Sequence, residues 1–376
     1  MKLALIAPTP IPASTANSIQ FMKMAQAFAR LGHELQIYAP GKKPQQTRKE
    51  LIEHYGLQED LDITWMSAKL CWRRYDYAVR AVKKAKHWGA DMIFTRLPQA
   101  AAWSALRGIP TIFEVHDMPS GKMGPRLLSV FLRARGGNGL VVISKALVKA
   151  ITQRYPIQEN DPRIHISPDA VDLERYIDLP SPSKARKSLG LANGFTVGYT
   201  GHLYAGRGIS FILDLAEKKK NMQFLLVGGR REDVKRVERE INRRALKNVT
   251  LTGFIPNAQL PLYQAAADVL LMPYETRVAA SSGGNIASFL SPMKMFEYLA
   301  SARPILASDL PVLGEVLNAK NAVVMSMVDT TEWVKELTQL SKNQNRRTEL
   351  SQAARQTSKN YSWESRAEKI LTAFAD

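Results

Sequence analysis

Apolar residues along this chain fall into short runs rich in Val, Ile, Leu, Phe and Tyr, separated by longer stretches with helical periodicity. In the first half the runs KLALIAP, ELQIYAP, DITWMSA, DMIFTR, PTIFEVH, GLVVIS and RIHISP read as strands. Between the first two lies NSIQFMKMAQAFARLG, a helix pattern closed by Gly32, which suits a helix end because it takes left-handed backbone angles without steric cost. At residues 179–194, LPSPSKARKSLGLANG, Pro, Ser and Lys displace the apolar rhythm and predict a linker. The alternation then restarts with FTVGYTG, MQFLLVGG, NVTLTGF, DVLLMPY, RPILAS and NAVVMSM. Strands alternating with helices predict α/β architecture: two Rossmann-like, doubly wound domains, at 1–178 and 195–355, facing across a cleft. Ligands of open α/β sheets bind outside the carboxyl ends of the strands, so the cleft is the expected site. The segment NYSWESRAEKILTAFAD predicts a terminal helix with Ser362 as N-cap and Trp363, Ile370, Leu371 and Phe374 as its apolar positions.

Composition narrows the class. The 376 residues are 45% apolar, enough for each domain to bury its own core, and a single cysteine, Cys71, cannot form an intramolecular disulfide. A reducing cytoplasm is the expectation. MKLALIAPTPIP reads as a first strand rather than a leader, and no apolar run approaches the ~18 residues that span a bilayer. With 52 basic against 34 acidic side chains, a net charge of +18, the surface attracts polyanions: nucleic acid, anionic lipid or phosphorylated metabolites.

Two stretches carry candidate chemistry. In SFLSPMKMFEYLASARPILASDLP, residues 288–311, Ser291 and Pro292 read as N-cap and first helical position. The helix that follows is apolar nearly all round, save Lys294 and Glu297 on one face. A lysine in the first turn opposes the helix macrodipole. A bound phosphate would reverse that penalty, with the N–H groups of Met293 to Met295 and the lysine converging on it. A Lys294–Glu297 ion pair at a domain rim is the other reading. The second stretch, VGYTGHLYAGRGI, runs from a strand through Gly198, Gly201, Gly206 and Gly208 into a helix, with Arg207 adding charge where backbone can approach a phosphate. Two such turns in one domain suggest a diphosphate.

Taken in order, these segments resemble the retaining nucleotide-sugar glycosyltransferases of family 4, two-domain GT-B enzymes, and the bacterial polysaccharide-assembly members in particular. SPMKMFEYLASARPILASDLPVLGEV is similar to the family's signature segment and GHLYAGRGI to its donor loop. ARLGHELQIYAP, FEVHD, VVISKAL, ISPDAVDLERY and NVTLTGFIP also match, so the resemblance spans essentially the whole chain. It implies that Glu297 holds the ribose hydroxyls and that Arg207 and Lys294 bind the diphosphate. Gly201, His202, Ser291, Met293 and Met295 line the same site. Gly253, Phe254 and Ile255 edge the base, with Arg230 near them, and His116 contacts the donor sugar from the N-domain, supported by Asp117. Asn17, Ser18 and Arg96 fall on the acceptor side, while Ser144 and Lys145 read as a helix cap and its first turn. A terminal helix over 356–376 crosses back onto the N-domain.

Two departures from the family pattern stand out. Phe289 stands eight residues before Glu297, where a second glutamate is usual, leaving Ser288 or the loop SSGGNIASFL to meet the sugar. Ala16, Asn17 and Ser18 replace the glycine pair after the first strand. The implied reaction moves a sugar, with UDP-glucose favoured as donor, to a hydroxyl of a glycan or polyprenyl-linked glycan with retained configuration. His116, Arg207 and Lys294 are its catalytic residues. No metal or other cofactor is required, as no cluster of His and carboxylate ligands stands out along the chain. The basic stretches CWRRYDYAVRAVKKAKHW and KMGPRLLSVFLRAR are either amphipathic surfaces for anionic lipid at the inner face of the plasma membrane or solvated faces over an ordinary core. A nucleotide-sugar 2-epimerase of similar fold, a basic nucleic-acid-binding protein and an inactive transferase are the rival readings. No RNA-binding aromatic pattern, helix-turn-helix or zinc spacing supports the nucleic-acid reading.

Overall fold

The computed structural model describes residues 1–134, 138–279 and 284–374. Contacts divide the chain into two units, Met1–Asp169 with Trp363–Asp376, and Ala170–Ser362.

The first unit holds strands β1 (Lys2–Ile6), β2 (Glu34–Pro40), β3 (Ile63–Met66), β4 (Met92–Thr95), β5 (Thr111–Val115), β6 (Asn138–Val142) and β7 (Ile164–Ile166). They form one parallel sheet in the order β3-β2-β1-β4-β5-β6-β7, whose direction of growth reverses between β1 and β4. Helices α1 (Ala16–Arg30), α2 (Arg48–Tyr55), α3 (Tyr75–Trp88), α4 (Pro98–Leu106), α5 (Gly124–Arg133) and α6 (Lys145–Thr152) alternate with the strands. Helices on both faces explain why β4 and β5 are buried at every position and read as continuous apolar runs. The exception is Glu114, paired in register with Val141 in the middle of the sheet and 1% exposed.

The second unit contains β8 (Thr196–Thr200), β9 (Gln223–Val227), β10 (Val249–Leu251), β11 (Val269–Met272), β12 (Ile305–Ser308) and β13 (Val323–Met325), a parallel sheet in the order β10-β9-β8-β11-β12-β13. Its helices are α7 (Pro182–Ser188), α8 (Ile209–Lys218), α9 (Arg231–Arg243), α10 (Leu260–Ala265), α11 (Met293–Ala300), α12 (Thr331–Lys342) and α13 (Gln344–Ser358). The last helix, α14 (Trp363–Ala373), belongs to the first unit and packs on α1. Trp363, Ile370 and Leu371 are buried there, and Arg30 of α1 pairs with Glu364 at 2.7 Å. Gly139 makes room for its end, since a Cβ at that position would lie 2.5 Å from the Phe374 ring.

Three local expectations are changed. Residues 179–194 are not a bare linker: Pro182 opens α7, Leu179, Leu189 and Leu191 pack against a cluster including Ala185, Ala265 and Ala266, and Arg186 pairs with Asp268 at 2.9 Å. The chain leaves the first unit after Asp169 and returns at Trp363. Ser362 bridges to Val171 just ahead of α14. Pro292 rather than Ser291 is the capping residue of α11, with extended angles and no side-chain cap. Proline lacks the N–H whose loss is harmless there, and its carbonyl takes the Met295 N–H at 2.8 Å.

Candidate active site

In the second unit, glycine turns follow β8, β9 and β10. Gly201 N–H donates to Val227 O and Gly228 N–H to Gly253 O, each at 2.8 Å, so the three turns lie side by side at the carboxyl end of the sheet. From Gly201 the chain enters the loop through Gly206 and Gly208, both at positive φ. Side chains at these two positions would run into the backbone of Arg277 and Pro273, so the loop lies against residues 273–279, tied by Glu275 N–H to Gly206 O at 3.1 Å.

Two cations converge here, and among the described residues neither makes a hydrogen bond or close ion pair with a carboxylate. Lys294 Nζ sits 3.8 Å from the centre of the Tyr199 ring and 5.2 Å from that of Tyr274. It is buried and makes no hydrogen bond, so the ion pair with Glu297 is not supported by a bond between them. The Arg207 guanidinium lies 5.0 Å from the Tyr204 ring centre and 5.1 Å from that of Tyr274. Its Nη2 reaches Tyr204 Oη and Ala279 O at 3.4 Å, while Nε is buried without a partner. Tyrosine faces attract both cations without neutralising them. Burial first, then Arg207, holds Lys294 well below the usual lysine range, with Glu297 opposing. The His202 ring, stacked on Tyr204 with centroids 4.9 Å apart, is pushed down to about 4 by burial and then by Arg207, Arg230 and Lys294. The buried Nδ1 of His202 and Oη of Tyr274 also lack hydrogen-bond partners among the described residues.

Glu297 Oε2 accepts from Gln264 Nε2 at 3.1 Å, and the same amide donates to Thr200 Oγ1 at 3.2 Å. Thr200 N–H in turn donates to Tyr298 Oη at 2.7 Å, so the carboxylate is held by the end of β8 and by α10. Arg230 is exposed as the capping residue of α9, and Phe254 is 48% exposed beside Gly253. The structure thus brings Gly201, His202, Arg207, Lys294 and Glu297 together. It places Ile255 against the α7 and α10 cluster, buries the Met295 side chain in the core and uses its N–H internally. Ser291 is 8% exposed and Met293 half-buried. Ser288 is exposed and Phe289 half-buried, and residues 280–283 of the loop expected to meet the sugar lie outside the described residues.

The first unit has its own cluster at the carboxyl end of β4 and β5. His116 Nε2 contacts Glu114 Oε1, which also accepts from Gln20 Nε2 at 2.5 Å. Arg366 of α14 pairs with Glu114 Oε2 at 3.2 Å, and Arg96 Nη1 donates to Gln20 Oε1 at 2.8 Å. Burial opposes the Glu114 charge, yet Arg366, His116 and Arg96 together hold that carboxyl well below the usual range. Burial pushes the Asp169 carboxyl up to about 7. Glu114, His116 and Asp169 offer ligand atoms within 4.8 Å of one another, a histidine–carboxylate grouping that was not apparent from spacing alone. Two guanidiniums share that space, which suits an ion-pair network better than a dication. Asp60 and Asp62, two apart in sequence, both pair with Arg48 at the surface, at 2.6 and 3.4 Å.

On the expected acceptor side, Ser18 is fully buried and its Oγ lies 2.6 Å from Tyr55 Oη, so it supports the start of α1 instead. Asn17 is half-buried with its Oδ1 unpartnered. Asp117 Oδ1 accepts the Met118 N–H at 2.7 Å, and Ser144 Oγ caps α6 through Leu147 N–H at 3.2 Å. Sequence reading missed Tyr199, Tyr274, Gln264, Glu114 and Arg366. A glutamine in an apolar helix and tyrosines at the ends of two strands were the available signals.

Known proteins bear on this architecture. A model of Glycosyltransferase Family 4 matches residues 19–175, and one of Glycosyl transferases group 1 matches residues 194–343. A 2-deoxystreptamine glucosyltransferase of Streptomyces kanamyceticus is 23% identical over 303 residues, covering 68% of this chain and 74% of that protein. A D-inositol 3-phosphate glycosyltransferase of Xylanimonas cellulosilytica is 23% identical over 393 residues, covering 95% and 91%. The fold is similar to that of Anabaena HepE in complex with UDP and glucose, with a TM-score of 0.76, 17% identity and 100% of both chains covered. With two Rossmann-like units matched in order by these models, the chain belongs to the family 4 glycosyltransferases of GT-B fold.

Proposed function

We propose that the enzyme transfers a sugar, with retention of anomeric configuration, from a nucleoside diphosphate to a hydroxyl of a glycan or lipid-linked glycan. UDP-glucose is the favoured donor. One observation carries this reading: Lys294 and Arg207 are held over tyrosine rings at the end of a glycine-rich turn with buried, unpartnered nitrogens. A buried cation with no hydrogen-bonded ion pair is unfavourable by itself, and a diphosphate supplies the missing partner. As the glycosidic bond breaks, negative charge grows on the diphosphate, and the same cations stabilise it where it develops.

Glu297, oriented by Gln264, accepts the two ribose hydroxyls. Phe254 and Arg230 edge the base, and His116 serves the transferred sugar. The attacking hydroxyl gives its proton to a phosphate oxygen on the face that the leaving group vacates. Lys294 and Arg207 take the charge-stabilising role that a metal fills in other transferases, so the reaction is proposed to be metal-independent. UDP and glucose in the similar HepE structure favour this donor.

A polyprenyl-linked or phosphorylated acceptor at the inner, cytoplasmic face of the plasma membrane suits the basic surface. The apolar face of α3 is turned inward, with Tyr77, Ala81 and Val82 in the core, and Arg135 of the second basic stretch lies outside the described residues. Trp72, 59% exposed, and Met123, 44% exposed, stay outward, as does a hollow of about 420 Å³ lined by Trp65, Met66, Ser67, Arg80, Lys83 and Lys84. No helix among the described residues is long and apolar enough to cross a membrane, and the contact proposed is a peripheral one.

Calorimetry with UDP, GDP and ADP in the absence of metal tests the reading. Selective binding of UDP that Glu297→Ala weakens supports it. No binding of any of the three, or binding indifferent to Glu297, contradicts it.

A further inference from the structure

We propose that Arg366, carried by the terminal helix, is a positioning residue that acts through Glu114 to fix His116 as a neutral ring, proton on Nε2 and lone pair on Nδ1. The geometry is closed on every side but one. Arg366 is 4% exposed, and its fork is set by Pro168 O, bonded to Nε at 2.7 Å, and Ser167 O, bonded to Nη2 at 2.9 Å. The remaining nitrogen, Nη1, meets Met24 Sδ at 2.9 Å and Glu114 Oε2 at 3.2 Å. With one carboxylate oxygen taken by Arg366, the other accepts from Gln20 and faces His116 Nε2.

An ionised carboxylate can only accept, so Nε2 carries the proton in the pair. The other ring nitrogen, Nδ1, makes no hydrogen bond among the described residues, and the side chain is 18% exposed. The charged groups around the ring are Glu114 on its own strand, Arg96 after β4, Asp169 after β7 and Arg366 on α14. Two guanidiniums face one firmly ionised carboxylate. Burial first, then Arg96, pushes the ring down to about 4, against the pull of Glu114. A neutral ring with an outward lone pair suits a hydroxyl donor and gives no attraction to a carboxylate or phosphate. The identification of that hydroxyl as a sugar's rests on the transferase proposal; the state of the ring does not.

The test is a long-range ¹H–¹⁵N spectrum of the full chain labelled in histidine, from pH 5 to 9, with the His116 signals assigned from His116→Asn. In the wild type His116 is expected to show the Nε2–H pattern throughout. Glu114→Gln, whose amide can donate to Nε2, is expected to move the proton to Nδ1 and lower kcat/KM by roughly tenfold or more. Arg366→Met, which leaves the Glu114 charge less compensated, is expected to bring His116 titration up into the measured range and to introduce a matching acid limb in the rate profile.

A wild-type proton on Nδ1, or a folded Arg366→Met protein with an unchanged His116 spectrum, overturns the proposal. If Arg366→Met does not fold, Glu114→Gln decides: an unmoved tautomer overturns it and a moved one supports it. A wild-type protein with the Nε2–H pattern and no transferase activity refutes the proposed function and leaves the positioning claim standing.

Discussion

Lys294 Nζ stands 3.8 Å above the centre of the Tyr199 ring, with no hydrogen-bond partner among the described residues and with Gly201 alongside, where a Cβ would lie 3.1 Å from it. The glycine therefore makes room for the ammonium as well as for the turn. A cation packed in this way is oriented but not neutralised, and the proposed role of the nucleotide's phosphates is to complete it.

That relationship makes donor binding a proton-linked event. Lys294 lies well below the usual lysine range in the free protein, and a bound diphosphate raises it again by favouring the ammonium. Between those two values binding must take up protons, so UDP affinity falls as pH rises through the window. His202, at about 4 when free, adds uptake only on the acid side. Calorimetry from pH 6 to 10 in buffers of different ionisation enthalpy should therefore show net proton uptake over part of that range, which Lys294→Met reduces. Zero uptake or net release throughout the range would speak against a depressed lysine in the site.

Gln264 supplies a donor to Glu297 and to Thr200 from a position with no exposure. Replacing it by leucine removes one hydrogen bond from the carboxylate proposed to meet the ribose. The loss is about 1 kcal/mol, or about fivefold in UDP affinity. Affinity for UDP equal to that of the wild type in a folded Gln264→Leu protein would remove Gln264 from this role.

Gly208 adopts φ +69 against the Pro273 carbonyl, leaving no room for a side chain. Gly208→Ala adds about 1–2 kcal/mol of backbone strain before any clash is counted. The donor loop should lift from residues 273–279, and both thermal stability and UDP binding should fall. An alanine variant that melts and binds like the wild type would mean that the loop does not need this seat.

Much of the architecture was legible because helices cover both faces of each sheet, so strand segments such as LALI and FLLV appear as unbroken apolar runs between helix patterns. The lone charges of α11 were legible for the same reason, since Lys294 and Glu297 interrupt an otherwise apolar helix. What sequence order could not reveal was company from far along the chain. Arg366 meets Glu114 across 252 positions, and Gln264 meets Glu297 across 33. The start of α11 was misplaced by one residue because a serine before a proline fits two capping positions equally well. The leucines of residues 179–194 were outweighed by the Pro and Ser around them, though they are what packs α7 in place.

The most direct test of the proposed donor site is the ratio of UDP to uridine affinity, measured on the wild type and on Lys294→Met. Removing a buried cation that lacks a partner should leave the free protein at least as stable, so the variant is expected to fold. The wild type should show a large preference for UDP over uridine, and the variant should lose most of it with uridine affinity unchanged. A Lys294→Met protein that keeps the wild-type preference would contradict the claim that this lysine waits over Tyr199 for the donor's diphosphate.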